Sequence, residues 1–401
     1  MASIQHLLVQ IRLFTRLILS LPWYTTNSLF ASTRARSTWT FKRAVMMQIL
    51  RNVVGDSVRY GISDGGTHEK LKLGKGFMGT YVEPIPQLIK GKLATWAENA
   101  NVQPILVPGY WMHRTGVDLA MGEKPAQGEK VLYYMHGGGY VSFSAHPSSL
   151  PAGLPKALLS EGGGARIMRS FSIEYRLCKP DYAPKSAPNH GPFPAALLDA
   201  LAGYNYLVNK VGFNPQDVIF VGDSCGANLA LALCRYLVEG KLDGLAPPGA
   251  LILVCPWSDL SDSHALHGSY VANATTDMLT YAFDVSAERQ SAAPHNFVVP
   301  KQLTLDPDFY LNPYISPACR KPGCESISFK GWPQALICAG GAEMLCDEIR
   351  ELKDRMVRDM GETNVRYVEA PDAVHDYCGL PWHEPERSEF LEVTKKWFSA
   401  L

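Results

Sequence analysis

The segment "QDVIFVGDSCGANLALALCRYLVEG", residues 216–240, decides the fold of this chain. Its first part is a continuous apolar run, as in a buried strand, and its last part has the periodicity of a helix ending near Gly240. The turn between them, "GDSCG" (222–226), fits the pattern G-x-S-x-G. The pattern alone occurs by chance, but a serine on a tight strand-to-helix turn is the arrangement of a nucleophile elbow. We therefore predict that Ser224 is a nucleophile, rather than a serine that only caps a helix.

A glycine triplet lies at the end of another apolar run, in "YYMHGGGYVSF" (133–143). Acyl transfer passes through a tetrahedral oxyanion, which preorganised N–H donors stabilise. Because glycines let the backbone approach a substrate oxygen closely, we predict that the amides of Gly137, Gly138 and Cys225 form an oxyanion hole. A phosphate-binding loop is the competing interpretation. However, the chain has no GxxxxGK[ST] motif, and its GxGxxG sequence (74–79) does not lead into a helix.

Strand and helix patterns alternate through the rest of the chain. This alternation predicts an α/β fold with a mostly parallel central sheet and helices on both faces. The further strands are predicted at 130–137, 165–177, 249–257, 333–341 and 364–371, and the further helices at 192–212, 343–361 and 385–401. Residues 258–310 break the rhythm, because they contain no strong strand pattern, and we predict that they form a cap insertion over the sheet.

The N-terminus predicts an amphipathic helix over about residues 4–21, with apolar residues at helical spacing on one face. Arg12 and Arg16 interrupt the apolar run, so a membrane-spanning helix is not expected. We predict a helix that docks on the protein or lies on a membrane surface, with a signal or anchor segment as the alternative. Residues 1–75 are accordingly predicted to be an N-terminal helical region, part of a cap or of a membrane contact, and residues 76–401 the catalytic domain.

Composition and charge exclude some classes of partner. Of 401 residues, 46% are hydrophobic, and the 38 basic residues balance the 38 acidic ones, which gives no reason to expect a nucleic-acid partner. The 9 cysteines are scattered and lack zinc-site spacing, which indicates buried thiols in a reducing compartment. Cys319 and Cys324 would form a disulfide only in a secreted protein. We expect a cytoplasmic protein, or one associated with the endoplasmic-reticulum membrane, rather than a secreted one.

The motifs "HGGGY", "EYRL", "PFPAALLDA", "GDSCGAN", "YISP" and "VHDY" occur in this order along the chain. In this order they resemble the hormone-sensitive-lipase-like branch of the α/β-hydrolases, and the similarity covers roughly residues 75–401. The resemblance implies an α/β-hydrolase fold in which N-terminal helices and a mid-chain insertion form a helical cap. It also implies a serine esterase or lipase that needs no metal and no cofactor. The chain is similar to fungal members in particular, some of which remove acetyl groups from sterols or secondary metabolites.

The base of a catalytic triad is predicted from chain order, since the histidine follows the serine and the acid in this fold. His375 lies in "DAVHDYCG", after the last predicted strand, and matches the position of the base in the resembled family. Asp372 and Asp376 flank this histidine, and we expect them to cap or hydrogen-bond locally.

The acid is predicted from the family pattern D-x-L-x-D-E, which here reads "EMLCDE" (343–348). Glu343 therefore takes the place of the commoner aspartate. A glutamate is one methylene longer, so the loop must adjust, but a Ser-His-Glu triad is chemically sound. Asp347 is the rival acid, although it reads as the first turn of a helix.

Together these residues predict a hydrolase that cleaves a lipophilic small-molecule ester through an acyl-enzyme intermediate. One alternative is a non-hydrolytic enzyme on the same scaffold that catalyses elimination, cyclisation or acyl transfer in secondary metabolism. Another is a ligand-binding pseudoenzyme, like the plant hormone receptors built on this family's fold without the catalytic histidine. The presence of both Ser224 and His375 favours hydrolysis. The sequence does not predict an oligomeric state.

Overall fold

A sheet of eight strands forms the centre of the molecule. The computed structural model describes residues 2–60, 70–72, 77–164, 166–178, 191–261, 263–265, 267–281 and 307–401. The strands are β1 (Met78–Val82), β2 (Val107–His113), β3 (Lys130–Met135), β4 (Ile167–Ile173), β5 (Val218–Asp223), β6 (Ala250–Val254), β7 (Gln334–Gly340) and β8 (Val365–Ala370). Their order is β1-β2-β4-β3-β5-β6-β7-β8. The strand β2 pairs antiparallel with β1 and β4, and the other neighbouring strands are parallel.

Helices connect the strands. They are α1 (Ala2–Ser28), α2 (Phe41–Tyr60), α3 (Lys92–Asn99), α4 (Gly153–Ala157), α5 (Ala195–Asn205), α6 (Cys225–Gly240), α7 (Gly268–Ala272), α8 (Cys346–Met360) and α9 (Glu386–Ala400). The helix α6 packs against β3, β5 and β6, and α8 packs against β7 and β8. Because β3 and β5 to β8 are parallel, the loops that follow them all lie at one edge of the sheet, where catalytic residues of such folds are found.

The predicted α/β architecture is confirmed, and the strands and helices predicted from residue 130 onwards are present with shifts of a few residues at their ends. The sequence did not predict β1 or β2, nor separate helices at α2, α3 and α4. The two missed strands contain Gly79, Pro108 and Gly109, which weaken a strand pattern. They pair antiparallel at the end of the sheet, outside the alternation of strand and helix on which the prediction rested.

The N-terminal helix continues beyond its predicted end, through Pro22 to Ser28. Proline has no N–H for a helical hydrogen bond, so packing must hold the last turn in place. Tyr24 and Ser28 are buried, and Gln48 of α2 donates hydrogen bonds to the Ser28 hydroxyl (2.8 Å) and the Tyr24 carbonyl (3.4 Å). Arg16 of α1 and Asp56 of α2 form an ion pair. Among the described residues, no helix combines the length and the apolar character that crossing a membrane requires.

The segment that begins at residue 36 reaches the edge of the sheet at which the parallel strands end. Trp39 and Met47 form a small apolar cluster with Ala342, Val374 and Leu380. The Trp39 indole donates a hydrogen bond to the Asp372 carbonyl at 2.9 Å. Since Ala342 precedes Glu343 and Val374 precedes His375, the N-terminal region packs directly against the loops that carry these two residues.

The predicted insertion at residues 258–310 is described only in part. Residues 258 and 259 bind the α8 carboxylate Glu348, which accepts the Ser258 and Asp259 amides at 2.6 and 3.2 Å. The helix α7 then packs against α8. Residues 282–306 lie outside the described residues, as do residues 73–76 of the GxGxxG sequence. The division of the chain at residue 75 and the cap role of residues 258–310 stay predictions.

Candidate active site

Ser224 lies on the turn between β5 and α6 with a strained backbone. Its φ of 53° and ψ of −121° fall in a region that non-glycine residues rarely adopt, and such strain concentrates at functional sites. Its amide donates to the Val254 carbonyl (2.9 Å), and its carbonyl accepts the Trp257 amide (3.1 Å), so the end of β6 holds the turn on both sides. The side chain lies at the edge of the sheet where the parallel strands end.

The two glycines of G-x-S-x-G are required by close backbone contacts. A Cβ at position 222 would lie 2.4 Å from the carbonyl carbon of Gly226. A Cβ at position 226 would lie 2.1 Å from the Met135 carbonyl oxygen of β3. Both distances are far below a van der Waals contact with backbone atoms, which cannot move aside. The motif therefore lets α6 begin directly against the ends of β3 and β5.

Glu343 and His375, the predicted acid and base, lie in contact with each other. The Glu343 carboxylate Oε2 lies 2.7 Å from His375 Nδ1, and its Oε1 accepts the Gly340 amide at 2.6 Å. Both side chains are buried, with 0% and 2% of the side chain exposed. A carboxylate at this position can orient the imidazole and accept a hydrogen bond from its Nδ1.

The pKa of His375 reflects its acidic surroundings. Burial lowers it, but the carboxylates of Asp376, Glu343 and Asp277 outweigh burial and raise the pKa to about 10. The other ring nitrogen, Nε2, lies 3.3 Å from Asp376 Oδ2. No hydrogen bond joins Nε2 to the Ser224 hydroxyl, both of which belong to the described part of the chain. Glu343 thus contacts His375, while the roles of acid, base and nucleophile stay predictions.

Asp277 links the two loops that carry Glu343 and His375. It is a buried residue that was not predicted from the sequence. Its Oδ2 accepts the Met344 amide at 2.7 Å, next to Glu343. Its Oδ1 lies 3.4 Å from the His375 amide. Burial raises the pKa of Asp277 to about 6, against the lowering effect of the imidazole. One carboxylate from the insertion thus fixes the backbone beside both the acid and the base.

The glycine loop after β3 is held by its neighbours. The His136 ring stacks on Tyr175 at 4.4 Å, and burial lowers the pKa of His136 to about 4, so this histidine is neutral. The Tyr175 hydroxyl donates to the His136 carbonyl at 2.6 Å, and the Tyr140 amide donates to the Cys225 thiol at 3.1 Å. These contacts place the loop beside the first residue of α6.

The three predicted oxyanion donors do not have equivalent surroundings. Burial raises the pKa of Asp223 to about 6, and the nearby Gly137 backbone is among the groups that oppose this effect. Gly138 has a φ of 115°, a conformation open to glycine, and a Cβ there would lie 2.4 Å from the Ser142 carbonyl oxygen. The roles of Gly137, Gly138 and Cys225 as oxyanion donors stay predictions.

The remaining aspartates near the site have other partners. Asp347 accepts the Ser269 amide at 2.8 Å and pairs with Arg350 at 2.9 Å, so it is engaged at the start of α8 rather than with His375. Asp372 pairs at 3.3 Å with Arg36, which lies 336 positions away in the chain, so its partner is not the local one that was expected. Asp376 contacts the imidazole of the adjacent His375, a local contact of the kind expected for it.

The other motifs hold structural contacts. Arg176 of "EYRL" pairs with Asp199 of "PFPAALLDA" at 2.8 Å, and both side chains are buried. The Asn228 amide group of "GDSCGAN" donates to the Ile315 carbonyl of "YISP" at 3.0 Å. All 9 cysteines are buried and free, Cys319 and Cys324 included. These contacts explain why the motifs occur together without assigning them a chemical role.

Comparison with known proteins identifies the family. A family model described as "alpha/beta hydrolase fold" matches residues 132–379. The chain belongs to the α/β-hydrolase family. An acetyl-hydrolase of Streptomyces hygroscopicus is 30% identical over 269 residues, which cover 65% of this chain and 72% of the relative. Steryl acetyl hydrolase 1 of Saccharomyces cerevisiae is 26% identical over 144 residues, or 36% of this chain and 30% of the relative.

The solved structures include a hormone-sensitive lipase from a metagenome library. It matches with a TM-score of 0.56 and 23% identity, covering 88% of this chain and 97% of that chain. The family model confirms the predicted α/β-hydrolase family, and this solved structure, described as a hormone-sensitive lipase, confirms the fold. The similarity to the acetyl-hydrolase identifies the protein as a carboxylic ester hydrolase.

Proposed function

We propose that the protein hydrolyses small lipophilic esters through an acyl-enzyme formed on Ser224. The observation that carries the proposal is the 2.7 Å contact between Glu343 and His375, at the edge of the sheet where Ser224 lies on its strained turn. A neutral serine hydroxyl is a weak nucleophile, and an oriented histidine is what activates it.

In the proposed mechanism, His375 Nε2 takes the hydroxyl proton as Ser224 Oγ attacks the ester carbonyl carbon. The negative charge then forms on the carbonyl oxygen, where the amides of Gly137, Gly138 and Cys225 stabilise it. Collapse of this intermediate breaks the ester C–O bond, and the leaving alcohol takes the proton from His375. Water, deprotonated by the same histidine, then attacks the acyl-enzyme and releases the carboxylic acid. Glu343 keeps the imidazole oriented and stabilises its charged form throughout.

A short acyl group is favoured by two observations. Ser224 is 8% exposed and His375 2%, so little room for a long chain is expected beside the nucleophile. Two of the relatives are named an acetyl-hydrolase and a steryl acetyl hydrolase. We therefore propose an acetyl ester as the substrate, with the lipophilic part in the alcohol, as in an acetylated sterol or secondary metabolite.

A series of p-nitrophenyl esters tests this preference. We expect kcat/KM for the acetate to exceed that for the octanoate by about 10-fold or more, because a narrow site excludes added methylenes. Hydrolysis also requires that acetate and alcohol appear in equal amounts, which an elimination or an acyl transfer to a second alcohol would not give. Equal or higher kcat/KM for the octanoate would contradict the acetyl proposal.

A membrane surface is the proposed route to lipophilic substrates. On α1, the side chains that do not face α2 include Ile11, Phe14, Ile18, Leu19 and Trp23, which are 49–73% exposed. The segment 2–28 has no acidic residue, and one of its two arginines, Arg16, pairs with Asp56 of α2. An exposed apolar face without acidic charge fits a lipid surface, into which such a helix inserts one side. We propose a peripheral contact of this kind.

Sedimentation with vesicles of phosphatidylcholine and phosphatidylserine measures this contact. The triple variant Phe14→Gln, Leu19→Gln and Trp23→Gln should bind about 10-fold less than wild type, since it removes most of the apolar area. The matched control replaces three exposed apolar residues elsewhere, Leu106, Met121 and Leu150, by glutamine and should bind like wild type. Unchanged vesicle binding of the α1 variant would refute the membrane contact. A wild-type dimer that becomes monomeric in the same variant would also refute it.

A further inference from the structure

The catalytic imidazole lies between two carboxylates, one at each ring nitrogen. Glu343 Oε2 is 2.7 Å from Nδ1, and Asp376 Oδ2 is 3.3 Å from Nε2. In the triad mechanism Nε2 is the atom that receives the serine proton, so a second carboxylate at this nitrogen competes with Ser224 for it.

The backbone holds Asp376 in this position. Its φ of 53° is left-handed, which aspartate and asparagine tolerate better than most residues. The other oxygen, Oδ1, is buried and has no hydrogen-bond partner among the residues that the structure describes. A carboxylate oxygen of Asp376, a ring nitrogen of His375 and the Cys255 sulfur all lie within 4.8 Å of one another, at the end of β6. The carboxylate therefore points into the catalytic centre and not into a surface network.

The contact between Asp376 and Nε2 is favourable only with a proton between them. When Nε2 carries a proton, or Asp376 does, one atom donates and the other accepts. When neither Nε2 nor Asp376 carries a proton, two hydrogen-bond acceptors face each other, and the contact becomes repulsive. The Asp376 side chain is 24% exposed, so this proton can exchange with solvent.

We propose that Asp376 is a second carboxylate partner of His375, which holds the Nε2 proton in the resting enzyme and releases the nitrogen to Ser224 when that proton is lost. Asp376 thereby sets the pH at which the base becomes available. The inference rests on the proposed roles of Ser224 and His375 in ester hydrolysis.

The other charged groups around His375 act in the same direction and do not replace Asp376. Glu343 comes from the loop after β7, and Asp277 follows α7; together with Asp376 they outweigh burial and raise the pKa of His375. Asp223, at the end of β5, raises the pKa of Asp376 further, after burial, which is the largest cause. The neighbouring thiols of Cys225 and Cys255 have pKa values raised by burial, and the Tyr134 hydroxyl bonds to Asp223, so these groups stay neutral near pH 7. Asp376 is the carboxylate among them that contacts Nε2.

The test follows the rate of Ser224 labelling by a fluorophosphonate as a function of pH, together with kcat/KM for p-nitrophenyl acetate. Both rates rise as His375 loses its proton, and Asp376→Asn removes the charge that stabilises the protonated ring. The midpoint of the rise should therefore move to lower pH by about 1 unit or more. Asparagine keeps the size of the side chain and tolerates the left-handed backbone.

Two variants complete the comparison. Asp372→Asn removes a carboxylate of the same loop that pairs with Arg36, and its midpoint should stay at the wild-type value. Asp376→Glu keeps the charge, so its midpoint should lie at least halfway from the Asp376→Asn value back to the wild-type value. A midpoint that Asp376→Asn leaves unchanged, or moves no further than Asp372→Asn does, overturns the inference. A wild-type enzyme that is not labelled at Ser224 at any pH would instead overturn the proposed function itself.

Discussion

Ser224→Ala should lose esterase activity by about 10³-fold or more, because no other group can form the acyl-enzyme. A fluorophosphonate probe should label the wild-type protein at Ser224, which can be read from the modified peptide by mass spectrometry. The fold should be retained, since the Ser224 backbone contacts to Val254 and Trp257 use main-chain atoms that alanine keeps.

The control for this experiment is another buried serine. Ser170 lies on β4, is buried, and its hydroxyl has no partner among the described residues. Ser170→Ala should therefore keep both activity and labelling. Labelling of a different serine in the wild type, or full activity of Ser224→Ala, would require a different nucleophile.

The turn that carries Ser224 could be predicted from the sequence, because the features that define it lie close together in the chain. A serine with positive φ, a glycine on either side and a strand-to-helix change lie within a dozen consecutive residues. Chain order then placed His375 after the last strand, and a family pattern placed Glu343 at the end of β7. The 2.7 Å contact of these two side chains agrees with the prediction, although they are separated by 32 residues.

The groups that sequence reasoning missed act across long separations. Asp277 reaches the loops of Glu343 and His375 from an insertion that carries no recognised motif. Trp39 and Met47 belong to a region without motifs, yet they pack on the residues that precede the acid and the base. Such contacts follow from how loops meet at the sheet edge, which periodicity does not encode. Arg36, the partner of Asp372, likewise comes from this region without motifs, 336 residues away in the chain.

The Gly137 amide illustrates the same limit. A glycine triplet indicates that backbone donors are available, but it does not say which of them face the substrate. The Asp223 carboxylate lies 2.3 Å from the position a Cβ would take on Gly137, so a side chain of one motif packs against the backbone of another. Such contacts follow from the folded arrangement and not from the glycine triplet itself.

Glu343→Gln should lower kcat by roughly 10³-fold with a small effect on KM. Glutamine has the same shape and can still accept the Gly340 amide, but it lacks the charge that stabilises the imidazolium formed when Ser224 is deprotonated. Glu343→Asp keeps the charge on a side chain one methylene shorter, and it should retain more activity than Glu343→Gln. The measurement is steady-state hydrolysis of p-nitrophenyl acetate, with circular dichroism to confirm folding.

Asp347→Asn is the matched control, since Asp347 was the rival acid and lies four residues further along the chain. Its partners are the Ser269 amide and Arg350, whose side chain is 46% exposed, so the ion pair contributes about 1 kcal/mol or less to stability. We expect kcat to change less than about 5-fold and only the melting temperature to fall slightly. If Asp347→Asn abolished activity while Glu343→Gln left it intact, the acid would have to be reassigned, and the 2.7 Å contact with His375 would be structural rather than catalytic.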